Sequence, residues 1–195
     1  MGTTNKVKFG IKNCYFAVAT LAANNSATYA SPKALPGAVS ISLDAQGEST
    51  PFYADDIVYY TDIANSGYEG SLELALVPDD FKKDVLGYAA DANGILYEDA
   101  DAPAVHFALL FEFDGDKHAK RHVLYNCTAT RPAVGSSTKT ATAEPQTETI
   151  NITATSVYNA TISKNVVKAS VTPTETTQYN AWLTAVYQPT GTAST

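Results

Sequence analysis

At 195 residues, with 45% hydrophobic content and a net charge of −7, the chain is long enough for one sizeable core and short for two. Twenty acidic residues against thirteen basic ones argue against a protein that grips phosphates, because nucleic-acid binders neutralise the backbone with Lys and Arg. The same sign suits a surface past which DNA slides without sticking, and equally an ordinary soluble protein. Thr, Tyr, Val and Ala are plentiful, with one Met and one Trp, a bias toward pleated strands that predicts a mainly β class. No apolar run is long enough to span a bilayer, and Met1 to Lys6 lacks a signal peptide's hydrophobic segment, so the chain is expected to stay in the cytoplasm where it is made. In that reducing compartment Cys14 and Cys127 read as two buried thiols rather than a bridge. The Asn-x-Ser/Thr triplets at Asn24, Asn126, Asn151 and Asn159 are then chance matches in a Thr-rich chain.

In chain order, Val7, Phe9 and Ile11 alternate with lysines and predict a half-buried opening strand. The parity then slips to Cys14, Phe16 and Val18, so either a bulge lies near Asn13 or a second element begins. The polar run Ala22 to Thr28 reads as a surface loop. Leu35-Pro36-Gly37-Ala38 fits a type II turn. A strand leaves it with Val39, Ile41 and Leu43 toward the core and Ser40, Ser42 and Asp44 toward water, until Gly47 and Pro51 interrupt. From Glu48 to Gly67 the chain is rich in Tyr, Asp and small residues without a sustained period, although Ile57 to Thr61 could be strand. A loop of aromatic and acidic residues on a β scaffold commonly exists to touch something; the alternative is an Ω-like loop packed on its own subunit. Asp55 and Asp56 are not expected to be a catalytic pair, because adjacent strand residues point to opposite faces and no His or metal motif accompanies them.

Leu72, Leu74 and Leu76 alternate with Ser71, Glu73 and Ala75, predicting another two-faced strand. Pro78, the acids Asp79 and Asp80, the pair Phe81 and Val85, and Gly87 spell a short helix lying against the sheet. Asp91 to Gly94 is a turn, and the acidic stretch Glu98 to Pro103 a loop. Phe107, Leu109, Phe111 and Phe113 then share one strand face in the first arm of a long hairpin. Asp114 to Lys117 reverses the chain, Arg121 to Thr130 returns, and Arg131-Pro132 ends the pairing. Ala133 to Ala143 has the composition of a flexible connection, and Ile150, Ile152 and Ala154 resume strand alternation. One more β element is expected within Val157 to Val171. Tyr179, Trp182, Leu183 and Val186 carry the spacing of a helical face, with Trp182 as a packing anchor and Pro189 as a stop. A loose tail, residues 190–195, follows.

No catalytic or metal string is present. His118 and His122 are four apart, but across a turn and a strand rather than on a helix, and no phosphate loop, nucleophile elbow or CxxC occurs. No cofactor is therefore expected.

Long strings do carry a resemblance. Phe107 to Lys117 and Arg121 to Pro132 resemble the signature of phage major tail (tail tube) proteins of the long-tailed phi13 type. Leu35 to Val39, Phe52 to Asp55, Gly67 to Pro78 with Phe81 to Gly87, and Glu144 to Thr149 are similar to that family as well, so the likeness spans about residues 6 to 189. It implies a single tail tube domain over residues 1–189, a β-sandwich or barrel-like domain with one short helix and a C-terminal helix. It also implies a virion protein, assembled in the bacterial host cytoplasm, whose homo-hexameric rings stack into a tube for DNA ejection. The implied partners are further copies of the chain, the tape measure, tail terminator and distal tail proteins, and passing DNA contacted non-specifically, without membrane insertion.

By the same resemblance, residues 48–67 are the arm that docks on the neighbouring ring, with Phe52, Tyr53, Asp55, Asp56, Tyr59 and Tyr60 as stacking contacts. Ser40, Ser42, Asp44 and Glu73, on wet strand faces, are the candidate channel lining, against the plainer reading of an ordinary solvated face. Rival readings are a monomeric β-sandwich binding module using the Tyr-rich loop, an enzyme built on scattered carboxylates, and the tube protein of a related contractile injection system.

Overall fold

A computed structural model describes residues 10–114, 119–138 and 145–191. The expected strand at Val7 and Phe9, the Gly115 to Lys117 part of the hairpin turn, His118, residues 139–144 of the connection that precedes Glu148 and the last four residues of the tail lie outside them.

The fold is mainly β, and one nine-stranded antiparallel sheet dominates it. Its first strand, β1 (Lys12–Leu21), pairs with the short β2 (Ala27–Tyr29) and β3 (Lys33–Ala34) on one side. The register against its other neighbour jumps between Lys12 and Tyr15, and Asn13 takes a φ of 50°. The parity slip is therefore a bulge, which turns Cys14, Phe16 and Val18 inward. Gly37, at φ 82°, has the positive value that a type II turn needs at its third position, and β4 (Ala38–Gln46) leaves it.

Two sequence expectations change in this region. A second bulge, between Ala38 and Ser40, puts Ala38 on the core side with Ile41 and Leu43 and leaves Val39 48% exposed. The Leu72/Leu74/Leu76 alternation stops one step early: β7 (Gly67–Leu74) buries Leu72 and Leu74, then the chain bends, so Leu76 is exposed and Val77 takes the inner place. Between β4 and β7 the chain forms β5 (Ser49–Ala54) and β6 (Ile57–Ile63).

Helix α1 (Asp79–Asp84) begins after Pro78 and lays Phe81 edge-on between Phe16 and Phe107, at centroid distances of 5.0 and 5.4 Å. Gly87, at φ 77°, ends that segment. A small hairpin follows, β8 (Tyr88–Ala90) and β9 (Leu96–Glu98), turned by Asp91, whose carboxylate accepts bonds from the Asn93 and Ile95 backbone N–H groups.

The central hairpin is β10 (His106–Glu112) and β11 (Arg121–Ala129). The expected face of Phe107, Leu109 and Phe111 is buried, and so is the opposite one: Ala108 and Leu110 are inaccessible as well. β10 therefore runs between two cores rather than over one. On the first side Phe107, Leu109, Leu124 and Cys127 meet β1, α1, β7 and β12 (Glu148–Thr155). On the second, Leu110, Val123 and Tyr125 are covered by the C-terminal segments. β12 follows its predicted alternation, with Ile150, Ile152 and Ala154 at 0% exposure.

The element expected within Val157 to Val171 is three short strands, β13 (Val157–Asn159), β14 (Lys164–Val166) and β15 (Lys168–Val171). β15 pairs with the Arg121–Leu124 half of β11 while β12 takes the Asn126–Ala129 half, so β11 feeds two sheet layers. The main path is β2-β1-β10-β11-β12-β7-β4, open among the described residues, and the domain is sandwich-like rather than a closed barrel.

Helix α2 (Thr176–Ala181) is shorter than the predicted stripe, with Trp182 at its C-cap. Turns carry the chain on, and Tyr179, Trp182, Leu183 and Val186 all still reach the second core. Arg121 ties this cover to the sheet: it pairs with the buried Glu112 at 3.3 Å, donates to the Tyr179 carbonyl at 2.6 Å and lies 3.9 Å over the Tyr179 ring. Cys14 and Cys127 are free and buried, and burial pushes the Cys14 thiol up to about 12.

Candidate assembly surfaces

Two surfaces gather the residues singled out in the sequence. The first is the stretch expected as a loop with a strand allowed at Ile57 to Thr61; it is a β-hairpin, in which β6 contains that strand and β5 is the arm the sequence did not suggest. Its ladder continues that of β4 and β7 without a break, since Ser66 N–H donates to the Gln46 carbonyl and Ala64 N–H to Glu48. At the join, a Cβ on Gly47 would stand 2.0 Å from the Ala64 carbonyl oxygen, so only glycine permits the close approach. Pro51 is tolerated within β5 because the hairpin has open edges on both sides.

Asp55 and Asp56 form the two-residue connection, with φ of 52° and 61°. Positive φ at both central positions is the type I′ pattern that matches strand twist, and Asp accepts it better than most residues. The pair is therefore a turn tip, not consecutive strand positions. Behind it, Phe52 stands opposite Tyr60, Tyr53 opposite Val58, and Ala54 opposite Ile57, with Tyr59 at a bulge. Phe52, Tyr53, Tyr59 and Tyr60 are 61–72% exposed, so the hairpin does not pack on its own subunit as an Ω-like loop would. All six residues proposed from sequence as stacking contacts sit together on this projection.

The second surface is the outer face of the β4–β7–β12 sheet. Ser40 stands across from Glu73, Ser42 from Ser71, and Asp44 from Glu69. Glu73 accepts hydrogen bonds from Thr147 Oγ1 at 2.6 Å and Ser40 Oγ at 2.8 Å, which hold its carboxyl below the usual range. The face extends into β12 through Thr149, Asn151 and Thr153, which lie opposite Glu73, Ser71 and Glu69. Glu69 and these three polar residues escaped the sequence reading, although strand parity with Ser71 and Glu73 would have found them. The result is a broad polar strip bearing carboxylates and no Lys or Arg at these positions.

His122 lies in β11, stacked on Phe111 at 5.3 Å. Among the described residues no three His, Cys, Asp or Glu side chains come together as a metal site, and no helix is long and apolar enough to cross a membrane.

No curated protein matches the chain. The sequence model of the phage tail tube protein family matches residues 2–195. The chain therefore belongs to the phage tail tube protein family, structural components of the virion tail that assemble with copies of themselves and with other tail proteins and carry no catalytic role.

Proposed function

We propose that this protein is the major tail tube subunit of a long-tailed phage of the phi13 type, building stacked hexameric rings through which viral DNA is ejected into the host. The single observation that carries the reading is the exposed aromatic hairpin on a chain matched over residues 2–195 by a tail tube family. An isolated two-stranded hairpin is marginal in water, and large side chains held in solvent gain nothing until they are covered. The β5–β6 arm, with Phe52, Tyr53, Asp55, Asp56, Tyr59 and Tyr60, docks on the adjacent ring. The tape measure, terminator and distal tail proteins bound the tube's length and ends, and assembly takes place in the host cytoplasm.

Ser40, Ser42, Asp44 and Glu73 line the channel. An acidic, hydroxyl-rich wall repels the phosphate backbone and offers no deep electrostatic well to a passing duplex. Tails carrying Asp44→Lys with Glu73→Lys test the conduit directly. Ejection followed by dye entry into released DNA should slow, and more so at low salt, because added cations create phosphate contacts. Ejection at the ordinary rate at every salt concentration would remove these residues from the lumen.

A further inference from the structure

Between the β4–β7 edge and the β10–β11 hairpin lies a cleft of about 460 Å³. Ile41, Leu43, Phe111 and Phe113 give it an apolar floor, and Lys120 and Lys168 give it cations. No carboxylate is among its described lining. Both lysines are exposed, and Lys168 Nζ stands 5.0 Å from the Tyr68 ring centroid, so its charge is held against an aromatic wall. The volume falls within the roughly 300–1,000 Å³ that receives drug-sized ligands, the bulk of a few side chains.

The arm has the complementary chemistry. Residues 48–66 carry Glu48, Asp55, Asp56 and Asp62 and no Lys or Arg. Its end is a narrow knob, two carboxylates at the turn backed by Phe52, Ile57 and Tyr60 on one face. We propose that the cleft receives this tip from another copy of the chain, with Asp55 and Asp56 against Lys120 and Lys168 and the aromatic side chains on the apolar floor. The proposal rests on the arm being the docking element and names what it docks into.

A chain cannot fill its own cleft. Tyr68 pairs with Ala45, nine residues along the extended strand from Ala54, or about 30 Å at ~3.3 Å per residue. A tip and a cleft on different parts of one subunit make a heterologous contact, which passes from copy to copy and, when its rotation does not close into a ring, runs on along a polymer. Opposite charge at its centre would also fix which surface meets which, since a tip meeting another acidic face is repelled.

Zero-length coupling of carboxylates to amines, applied to intact tails, tests the pairing. Covalent multimers should form whose linked peptides join Asp55 or Asp56 to Lys120 or Lys168. Tip carboxylates joined only to other lysines, or not joined at all, would overturn the assignment. As a second measurement, Lys120→Glu with Lys168→Glu should leave the subunit folded, as read by circular dichroism, and lower tube yield on the order of tenfold or more. Normal yield from that variant would reject the cleft as receptor while leaving the arm's docking role intact. Normal yield from an arm-tip variant would reject the docking role itself.

Discussion

A subunit carrying Asp55→Asn, Asp56→Asn and Tyr59→Ser is expected to fold as before and to fail to stack. Asn tolerates the left-handed conformation that both turn positions require, so the type I′ connection survives while its two charges disappear. Tyr59 is 72% exposed, and its loss removes little that the isolated subunit uses. Surface changes of this kind ordinarily stay within about 0.5 kcal/mol of stability. At an interface the balance differs, because buried Tyr anchors commonly contribute about 2 kcal/mol or more each. A loss of about 2 kcal/mol weakens a single contact roughly thirtyfold, and in a ring every subunit suffers it together. Negative-stain imaging should show no tubes under conditions where the unaltered protein forms them. Normal tubes from the triple variant would place the stacking contact elsewhere.

Trp182→Ala is the largest single loss of stability expected in the chain. The indole is 2% exposed, stacks on Tyr187 at a centroid distance of 5.4 Å, and donates its N–H to the His122 carbonyl at 3.4 Å. It is the largest fully buried side chain of the core that covers the outer face of β10 and β11. Truncating a buried Trp costs about 3–5 kcal/mol, a large part of the roughly 5–15 kcal/mol by which a domain is stable. The indole's removal also leaves Tyr187 unstacked and the end of α2 without its anchor. Urea unfolding of the monomer should shift its midpoint downward accordingly. A change below about 1 kcal/mol would mean that α2 and its following turns do not hold the second core closed.

Where a face is buried by its own chain, the sequence announces it. Ile150, Ile152 and Ala154 alternate because one side of β12 meets the core and the other meets water. Pro78, the following acids and Gly87 mark α1 because each answers a backbone requirement at a helix end. The parity slip at Asn13 is legible for the same reason, since a bulge must flip every side chain beyond it. Beyond Ile57 to Thr61 the arm is illegible as strands, because side chains on both of its faces, from Phe52 and Tyr53 to Tyr59 and Tyr60, are left uncovered within the subunit. Phe52 beside Tyr53 and Tyr59 beside Tyr60 obey no period when nothing selects one side. β10 hides its second buried face in another way, as small Ala108 and aliphatic Leu110 look like neighbours of a hydrophobic stripe rather than a stripe of their own.

The candidate surfaces divide along the same line. Composition marks the arm residues as unusual, but the turn geometry of Asp55 and Asp56 emerges only with the register of β5 and β6. Strand parity reaches Ser40, Ser42, Asp44 and Glu73, while the pairing across β7 and β12 is needed to join them into one strip. The cleft draws on residues from β4, β7, β10, β11 and β15, far apart in sequence, and no local pattern signals it.

The central claim is that the exposed hairpin and open borders of this domain are completed by further copies of the same chain. Electron cryomicroscopy of the intact virion tail tests it most directly. The account predicts this polypeptide in the wall of a hollow shaft, each β5–β6 arm covered by another subunit. A tail in which the chain lies outside the shaft wall, or in which the arms stand uncovered between rings, would contradict it.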